Sequence, residues 1–274
     1  TGAANGTSWT DAYTTLAAAD AVDAAGDVIL VAQDHSETAS SSANVTYSFA
    51  GTRASPVHIL CVDRTTGAPA TTALVKTVGA YNIALTGGGV SAGTVIDGLK
   101  FRVAEGSSGN NKLELLLQRW LKNCSIELES TYGGSLALGP YVHYELSDVW
   151  LKLVSVNAGV STYNSGVNRL LWNGGGVLAG SAATSFVYVN FAQQTVKLAN
   201  LDLSPLPTGA GMFYIGGSSV GLDLVVRDSR LPTGWSGALT NTTPGQASRA
   251  SMYNCDAGDS NYNLWIADHS GSIV

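Results

Sequence analysis

The sequence predicts an all-β chain, a right-handed parallel β-helix with an amphipathic α-helix capping its amino-terminal end. Three observations carry this. Convincing helical spacing of apolar residues lies in the segment ending at Gly26, with Leu113 to Lys122 its only rival. After it come short apolar or β-branched runs broken by Gly, Ser, Asn and Thr clusters. Through most of the chain those runs recur at a nearly constant interval.

Thr10 is placed to cap the helix, and Asp11 suits its first turn. Trp9, Ala12, Tyr13, Leu16, Ala19 and Val22 fall on one face at spacings of three and four. Alanine, the best helix former, fills the positions between, and Gly26 is placed to end the helix. Val28-Ile29-Leu30-Val31-Ala32 then reads as a buried strand. Val57 to Val62, Tyr81 to Leu85, Phe186 to Phe191 and Leu222 to Val226 are further strand-like runs. Leu113 to Lys122 is open between helix and strand, because Leu113, Leu116, Leu117 and Trp120 also fit helical spacing.

The repeat is anchored on Asp97, Asn123, Asp148, Asn173, Asn200, Asp228 and Asn254, at successive gaps of 26, 25, 25, 27, 28 and 26 along the chain. Two positions earlier stand Val95, Leu121, Leu146, Leu171, Leu198, Val226 and Met252, all large and apolar. Three positions later the pattern is looser: Ile126, Leu151, Leu203 and Leu231 fit, whereas Lys100, Gly176 and Ala257 do not. A strand with inward-facing alternate residues needs apolar side chains at period two. Asn and Asp turn the chain by bonding nearby backbone and by tolerating unusual dihedrals.

Leucine-rich repeats share the period but need a Leu ladder, and ankyrin, TPR and HEAT repeats need helices. A sandwich would show turn signals every 8–12 residues without a longer repeat. A parallel β-helix fits, with residues 1–26 as arm and cap and residues 27–274 as the solenoid, one domain overall. The remaining length predicts roughly nine coils and a rod about 45 Å long at the ~4.8 Å rung spacing. Cys124 and Cys255 would then lie about 24 Å apart, beyond disulfide reach.

Composition narrows the function. Hydrophobic residues make up 45% of the chain, enough for a sizeable core, so the chain is not disordered. Charged residues are 12%, about half the usual share, and the net charge is −6. That balance excludes a phosphate-driven nucleic-acid binder. No run of 18 apolar residues exists to span a membrane. Cys61, Cys124 and Cys255 form no C-x-x-C pair, so zinc and redox motifs are absent and buried thiols are expected. The opening Thr1-Gly2-Ala3-Ala4-Asn5 shows no basic and apolar signal peptide, and a leader cleaved earlier would leave the same start.

Gly6-Thr7-Ser8-Trp9-Thr10-Asp11-Ala12-Tyr13, then Leu16, then Ala24-Ala25-Gly26-Asp27 leading into Val28, resembles the opening of pectate-lyase-like right-handed β-helix proteins. There a G-T-x-W segment leads into a capping helix, then G-D, then the first strand. Val95-Ile96-Asp97-Gly98-Leu99-Lys100-Phe101 resembles a coil of the same group, and Gln33-Asp34-His35-Ser36-Glu37-Thr38 resembles phage structural proteins. The resemblance covers the chain as far as Thr38 and, beyond it, the repeat. It implies the fold, and it implies trimers for the phage members. The group also includes polysaccharide lyases, glycoside hydrolases, adhesins and tailspikes, so fold alone does not decide function.

Every candidate site residue also has a structural reading. A glycosidase needs two carboxylates within about 5–9.5 Å. Glu127 and Glu129 beside Glu145, or Asp202 beside Asp228, are the candidates, and each also reads as a solvated or turn residue. A lyase would use a basic residue, and Arg102, Arg119 and Lys122 come from neighbouring coils. The segment Asp256-Ala257-Gly258-Asp259-Ser260-Asn261 could offer oxygens to calcium but lacks EF-hand spacing and reads as a turn. His35, His58, His143 and His269 show no metal spacing. Gly217-Ser218-Ser219-Val220-Gly221 matches G-x-S-x-G without the helix that a nucleophile elbow needs. Gly87-Gly88-Gly89 and Gly174-Gly175-Gly176 are not P-loops, and Asn5, Asn44, Asn123 and Asn241 begin sequons. Trp120, Trp150, Trp172, Trp235 and Trp265 fit packing or a subunit contact better than a sugar-stacking face.

No catalytic, cofactor or metal residue is therefore assigned. The expectation is a phage virion structural protein, most simply a capsid decoration or cement protein located in the virion. Its expected partners are two further copies in a homotrimer and the major capsid protein or another virion protein. Cell-surface polysaccharide is a further candidate partner. The Thr1 to Ser8 arm is the candidate capsid contact. The alternative is a tailspike-like polysaccharide lyase or glycoside hydrolase.

Overall fold

The computed structural model describes residues 6–87, 93–116, 119–139, 143–162, 168–189, 194–208, 211–215, 222–234, 240–241, 249–258 and 261–267. One short helix, α1 (Leu16–Asp20), precedes the strands. The first coil is β1 (Val28–Ala32), β2 (Ser36–Ser40) and β3 (Val45–Phe49); the second is β4 (Val57–Val62), β5 (Leu74–Val78) and β6 (Ile83–Gly87). Next come β7 (Thr94–Asp97), β8 (Lys100–Glu105) and β9 (Asn110–Leu115), then β10 (Arg119–Lys122), β11 (Ser125–Leu128) and β12 (Gly133–Leu138). In the fifth and sixth coils the first two strands fuse, giving β13 (His143–Leu153), β14 (Gly159–Thr162), β15 (Asn168–Val177) and β16 (Ser185–Val189). The chain continues with β17 (Gln194–Ala199), β18 (Gly211–Ile215), β19 (Leu222–Arg227), β20 (Thr240–Asn241), β21 (Arg249–Asp256) and β22 (Asn261–Ala267).

Corresponding strands pair in parallel along three faces, which makes the chain a parallel β-solenoid. The first face runs β1-β4-β7-β10-β13-β15-β17-β19-β21, and the third runs from β3 to β20. The second face starts as β2, β5, β8 and β11, continues in the far halves of β13 and β15, and thins to the bridges Gly176–Asp202, Asp202–Arg230 and Arg230–Asp256. About seven turns are complete, against the nine expected from length. At the far end β22 pairs with β21 antiparallel.

One inward ladder threads the first face: Ile29, Ile59, Ile96, Leu121, Leu146, Trp172, Leu198, Val226 and Met252 stack in register. From Ile59 onward every member is buried. Leu121, Leu146 and Leu198 line up as expected. Leu171 does not: it is half-buried on the outward side, and Trp172 takes the core position against Phe186, ring centroids 5.5 Å apart. Val95 gives way to Ile96 in the same manner.

Both corrections have one cause. The residue that turns each corner has a left-handed backbone, and those residues are Gly98, Asn123, Asp148, Gly174, Asn200, Asp228 and Asn254. Asp97 and Asn173 each stand one residue before the corner, where glycine supplies the positive φ without steric cost. In the shifted frame, the third residue after the corner is Phe101, Ile126, Leu151, Val177, Leu203, Leu231 or Ala257, all buried. The misfits at Lys100 and Gly176 came from the frame, while Ala257 keeps its place as a small buried residue. Outside the corner, amides link neighbouring coils: Asn123 Nδ2 donates to Asp97 Oδ1 at 2.8 Å, Asn200 to Asn173 at 2.7 Å and Asn254 to Asp228 at 2.9 Å.

Of the stretch from Leu113 to Lys122, Leu113 to Leu115 end β9 and Arg119 to Lys122 form β10, with Leu113, Leu115 and Leu121 buried at alternate positions; Leu117 lies outside the described residues. The first two coils are longer than the repeat. Val28 stacks on His58 and His58 on Val95, and both intervals are wider than any between the later corners. That is why the period emerges only after them.

Candidate interaction site at the amino-terminal end

A solenoid leaves strand edges open at its ends, and open edges pair with other chains. At the amino-terminal end the edge of β3 is closed by side chains. Asp20 accepts the Ser48 amide through both oxygens, at 2.9 and 3.0 Å, and Asp23 accepts the Ala50 amide at 2.9 Å. Burial raises both carboxyls above their ordinary value; the backbone bonds oppose this, and repulsion between neighbouring aspartates adds to it. Glu37 locks the cap from inside. It accepts the Leu16 amide at 2.8 Å and the Tyr47 hydroxyl at 2.9 Å, with His35 Nε2 at 3.1 Å. Burial pushes its carboxyl up, but those partners outweigh burial and hold it below the usual range.

The helix that brings these carboxylates is one turn long, shorter than the face running from Trp9 to Val22. Its cap is Thr15, whose Oγ1 accepts the Ala18 amide at 3.2 Å, and not Thr10. The upstream segment is drawn into a local turn instead: Ser8 Oγ donates to Asp11 Oδ2 at 3.0 Å, and the Asp11 amide donates to Ser8 O at 3.1 Å. Such local bonds compete with the helix. Trp9 and Val22 are left 42% and 61% exposed, while Leu16 is buried. Gly26, at φ 90°, does turn the chain into β1.

The edge of β1 is not closed in this way. Among the described residues β1 pairs only with β4. The bonds His58 N to Asp27 O and Gln33 N to Val62 O set the phase of that ladder, so odd-numbered residues face β4. The amides and carbonyls of Val28 and Leu30 therefore point away from the sheet. Their side chains are 57% and 50% exposed, against the buried strand expected here. Between this edge and residues 6–22 lies a cleft of about 970 Å³, lined by Trp9, Tyr13, Val22, Val28 and Leu30 among others. Its polar lining includes Asp23, Asp27 and Asp34, and Arg64, which pairs with Asp34 at 3.0 Å.

The charged residues with catalytic potential lie elsewhere: Glu105, Glu127 and Glu129 gather with Arg102 and three lysines in an ion-pair network on the second face, apart from Glu145 on the first. Glu127 is on the second face, held by Lys100 Nζ at 2.6 Å and Arg102 Nε at 2.7 Å. Burial pushes its carboxyl up, and the two cations outweigh this, so it titrates below the usual range. Lys152 pairs with Glu129 at 3.0 Å and Lys76 with Glu105 at 2.7 Å. Glu145 stands on the first face with His143 at 3.0 Å. Arg102 is spent on Glu127 and Lys122 is exposed on the first face. Arg119 sits in the core between Thr94 and Tyr144, donating to the Thr86 carbonyl. Burial lowers its guanidinium to about 10. Asp202 pairs with Arg230 at 3.3 Å and accepts from Ser204 at 2.6 Å, while Asp228 turns a corner.

The other marked residues have structural places. Asp256 accepts the Gly258 amide at 2.8 Å, a turn, and among the described residues no group of three ligating side chains could hold a metal. Gly175 and Gly176 lie where a Cβ would meet the Val149 and Asp202 carbonyls, each at 2.1 Å. The three cysteines are buried and free, and burial raises the Cys124 thiol to about 12. Asn44 accepts the Asn82 amide at 2.9 Å. Trp150 projects outward on the second face, 37% exposed, between Ser125 and Gly176. Asn5, Gly88, Gly89, Gly217 to Gly221, Trp235 and His269 lie outside the described residues.

Comparison with known proteins finds no matching family model, no matching curated protein and no matching solved structure. The fold defines the chain as a parallel β-solenoid.

Proposed function

We propose that this chain is a structural protein of a phage virion, a decoration or cement protein that works by stiffness and surface contact. The observation that carries the reading is the amino-terminal end. There a strand edge unpaired among the described residues, a cleft of mixed apolar and acidic lining and the chain's opening segment meet, which is the layout of a docking surface. The flanks support it: the carboxylates there are committed to ion pairs, to backbone or to corners. The resemblance of Gln33 to Thr38 to phage structural proteins supplies the setting. The working unit is a homotrimer of side-by-side rods whose amino-terminal ends face the major capsid protein or another virion protein. Mass spectrometry of purified particles tests this. The chain is expected among the particle proteins, and its absence from them overturns the reading.

One observation favours the alternative, a polysaccharide depolymerase. The exposed Trp150 ring has small neighbours on both flanking rungs, which leaves a sugar-sized platform. Capsule depolymerisation abolished by a single Glu or Asp substitution would replace the structural reading.

A further inference from the structure

We propose that the free edge of β1 receives an extended segment of a partner protein as an added strand, apolar at alternate positions and basic at its ends. The inference names the partner class for the docking end and rests on that reading.

The backbone selects a strand. Val28 and Leu30 present two amides and two carbonyls at strand spacing, with no strand beside them among the described residues. An extended segment satisfies such groups in register, with main-chain bonds giving affinity and alternate side chains giving specificity. The apolar positions follow from the stack. Ile59 is fully buried, whereas Ile29, the end of the same ladder, is only half-buried. An inward apolar residue on the added strand would cover Ile29 and Val31, and the opposite side would lie beside Val28, Leu30 and Trp9.

Charge selects between a partner and a second copy. Asp23, Asp27 and Asp34 line the cleft, with Arg64 already spent on Asp34. Two β1 edges brought together would juxtapose two sets of these carboxylates, on chains of net charge −6. Like-charge contact of that kind suppresses wrong partners. A segment with Lys or Arg at its ends meets the same groups favourably.

The test uses the full chain and a synthetic peptide, Lys-Thr-Val-Thr-Ile-Thr-Val-Lys. Saturable binding is expected, and amide exchange at Val28 and Leu30, fast in the free chain, should slow by about tenfold or more. Peptides N-methylated at alternate nitrogens probe the backbone bonds without altering the protein: one alternate set should abolish binding and the other spare it. Leu30→Pro removes an amide that β4 does not use and should weaken binding about tenfold with the melting temperature unchanged. A Glu-ended peptide should bind several-fold more weakly, with the difference shrinking in salt. No saturable binding, β1 amides already protected in the free chain, or indifference to both N-methylated sets would overturn the proposal. Equal binding of the Glu-ended peptide would overturn its charge requirement. Dimerisation that itself protects these amides would assign the edge to a second copy instead. Particle mass spectrometry is independent of all of these, so failure of the docking reading and failure of the strand are distinguishable.

Discussion

The first coil contains two edges with opposite fates. β3 ends against Asp20 and Asp23, whose carboxylates accept the amides that a neighbouring strand would have taken. β1 ends against a cleft. Closing an edge thus requires acceptors at the right spacing and not another strand. In the segment opposite β1, Ser8 and Asp11 bond to each other. A one-turn helix reaches one edge and leaves the other available.

The closed edge is broken most severely through Glu37. Glu37→Ala leaves the buried Tyr47 hydroxyl and the Leu16 amide without their acceptor, and should cost about 3 kcal/mol in urea unfolding. Asp20→Ala is gentler, because Ser48 is near solvent and water can replace the carboxylate. It should cost about 1 kcal/mol. Its clearer signature is association: with β3 opened, sedimentation should show concentration-dependent self-association beyond that of the native chain.

Acidity separates the same groups by sign. The Asp20 and Asp23 carboxyls are raised in the fold, so the folded state holds their protons more tightly than the unfolded chain. Their contribution favours folding at low pH and is lost as pH rises through the raised values. Glu37 is lowered, so its contribution is present above its ordinary value of 4.5 and is lost as pH falls through the folded value. Asp23→Asn keeps an acceptor oxygen and removes the repelling charge. It should be neutral to stabilising by about 0.5 kcal/mol at pH 7, with the difference vanishing near pH 3. Glu37→Gln should instead flatten the acid limb of the same stability profile. Thermal melts across pH would check both.

Much of this molecule is legible in its sequence, because the corners demand a rare backbone conformation that few residues tolerate. Asn123, Asp148, Asn200, Asp228 and Asn254 announce themselves, and the apolar residue two before each one lies in the core. The frame slips only at Gly98 and Gly174, where glycine does the turning and an adjacent Asp or Asn invites the wrong choice. Arg119 is not legible in that way, since its core position depends on the Thr86 carbonyl, contributed by an earlier coil. The interaction site is half legible. The run from Val28 to Ala32 is plainly a strand, but whether its edge is covered depends on helix length, and a serine-aspartate turn upstream decides that.

The open edge has its own signature, which is the small size of what it contributes to stability. Leu30→Lys places a charge on the outward side of β1, where half of the leucine already meets water and where no strand among the described residues lies against it. The unfolding free energy should change by less than about 0.5 kcal/mol. The equivalent substitution one residue along, Val31→Lys, buries an ammonium in the core and should cost several kcal/mol. Equal losses at the two positions would mean that something covers the β1 edge in the isolated chain, and the contrast between the two edges would disappear. If only Val31→Lys unfolds the protein, Leu30 is surface that the fold does not need.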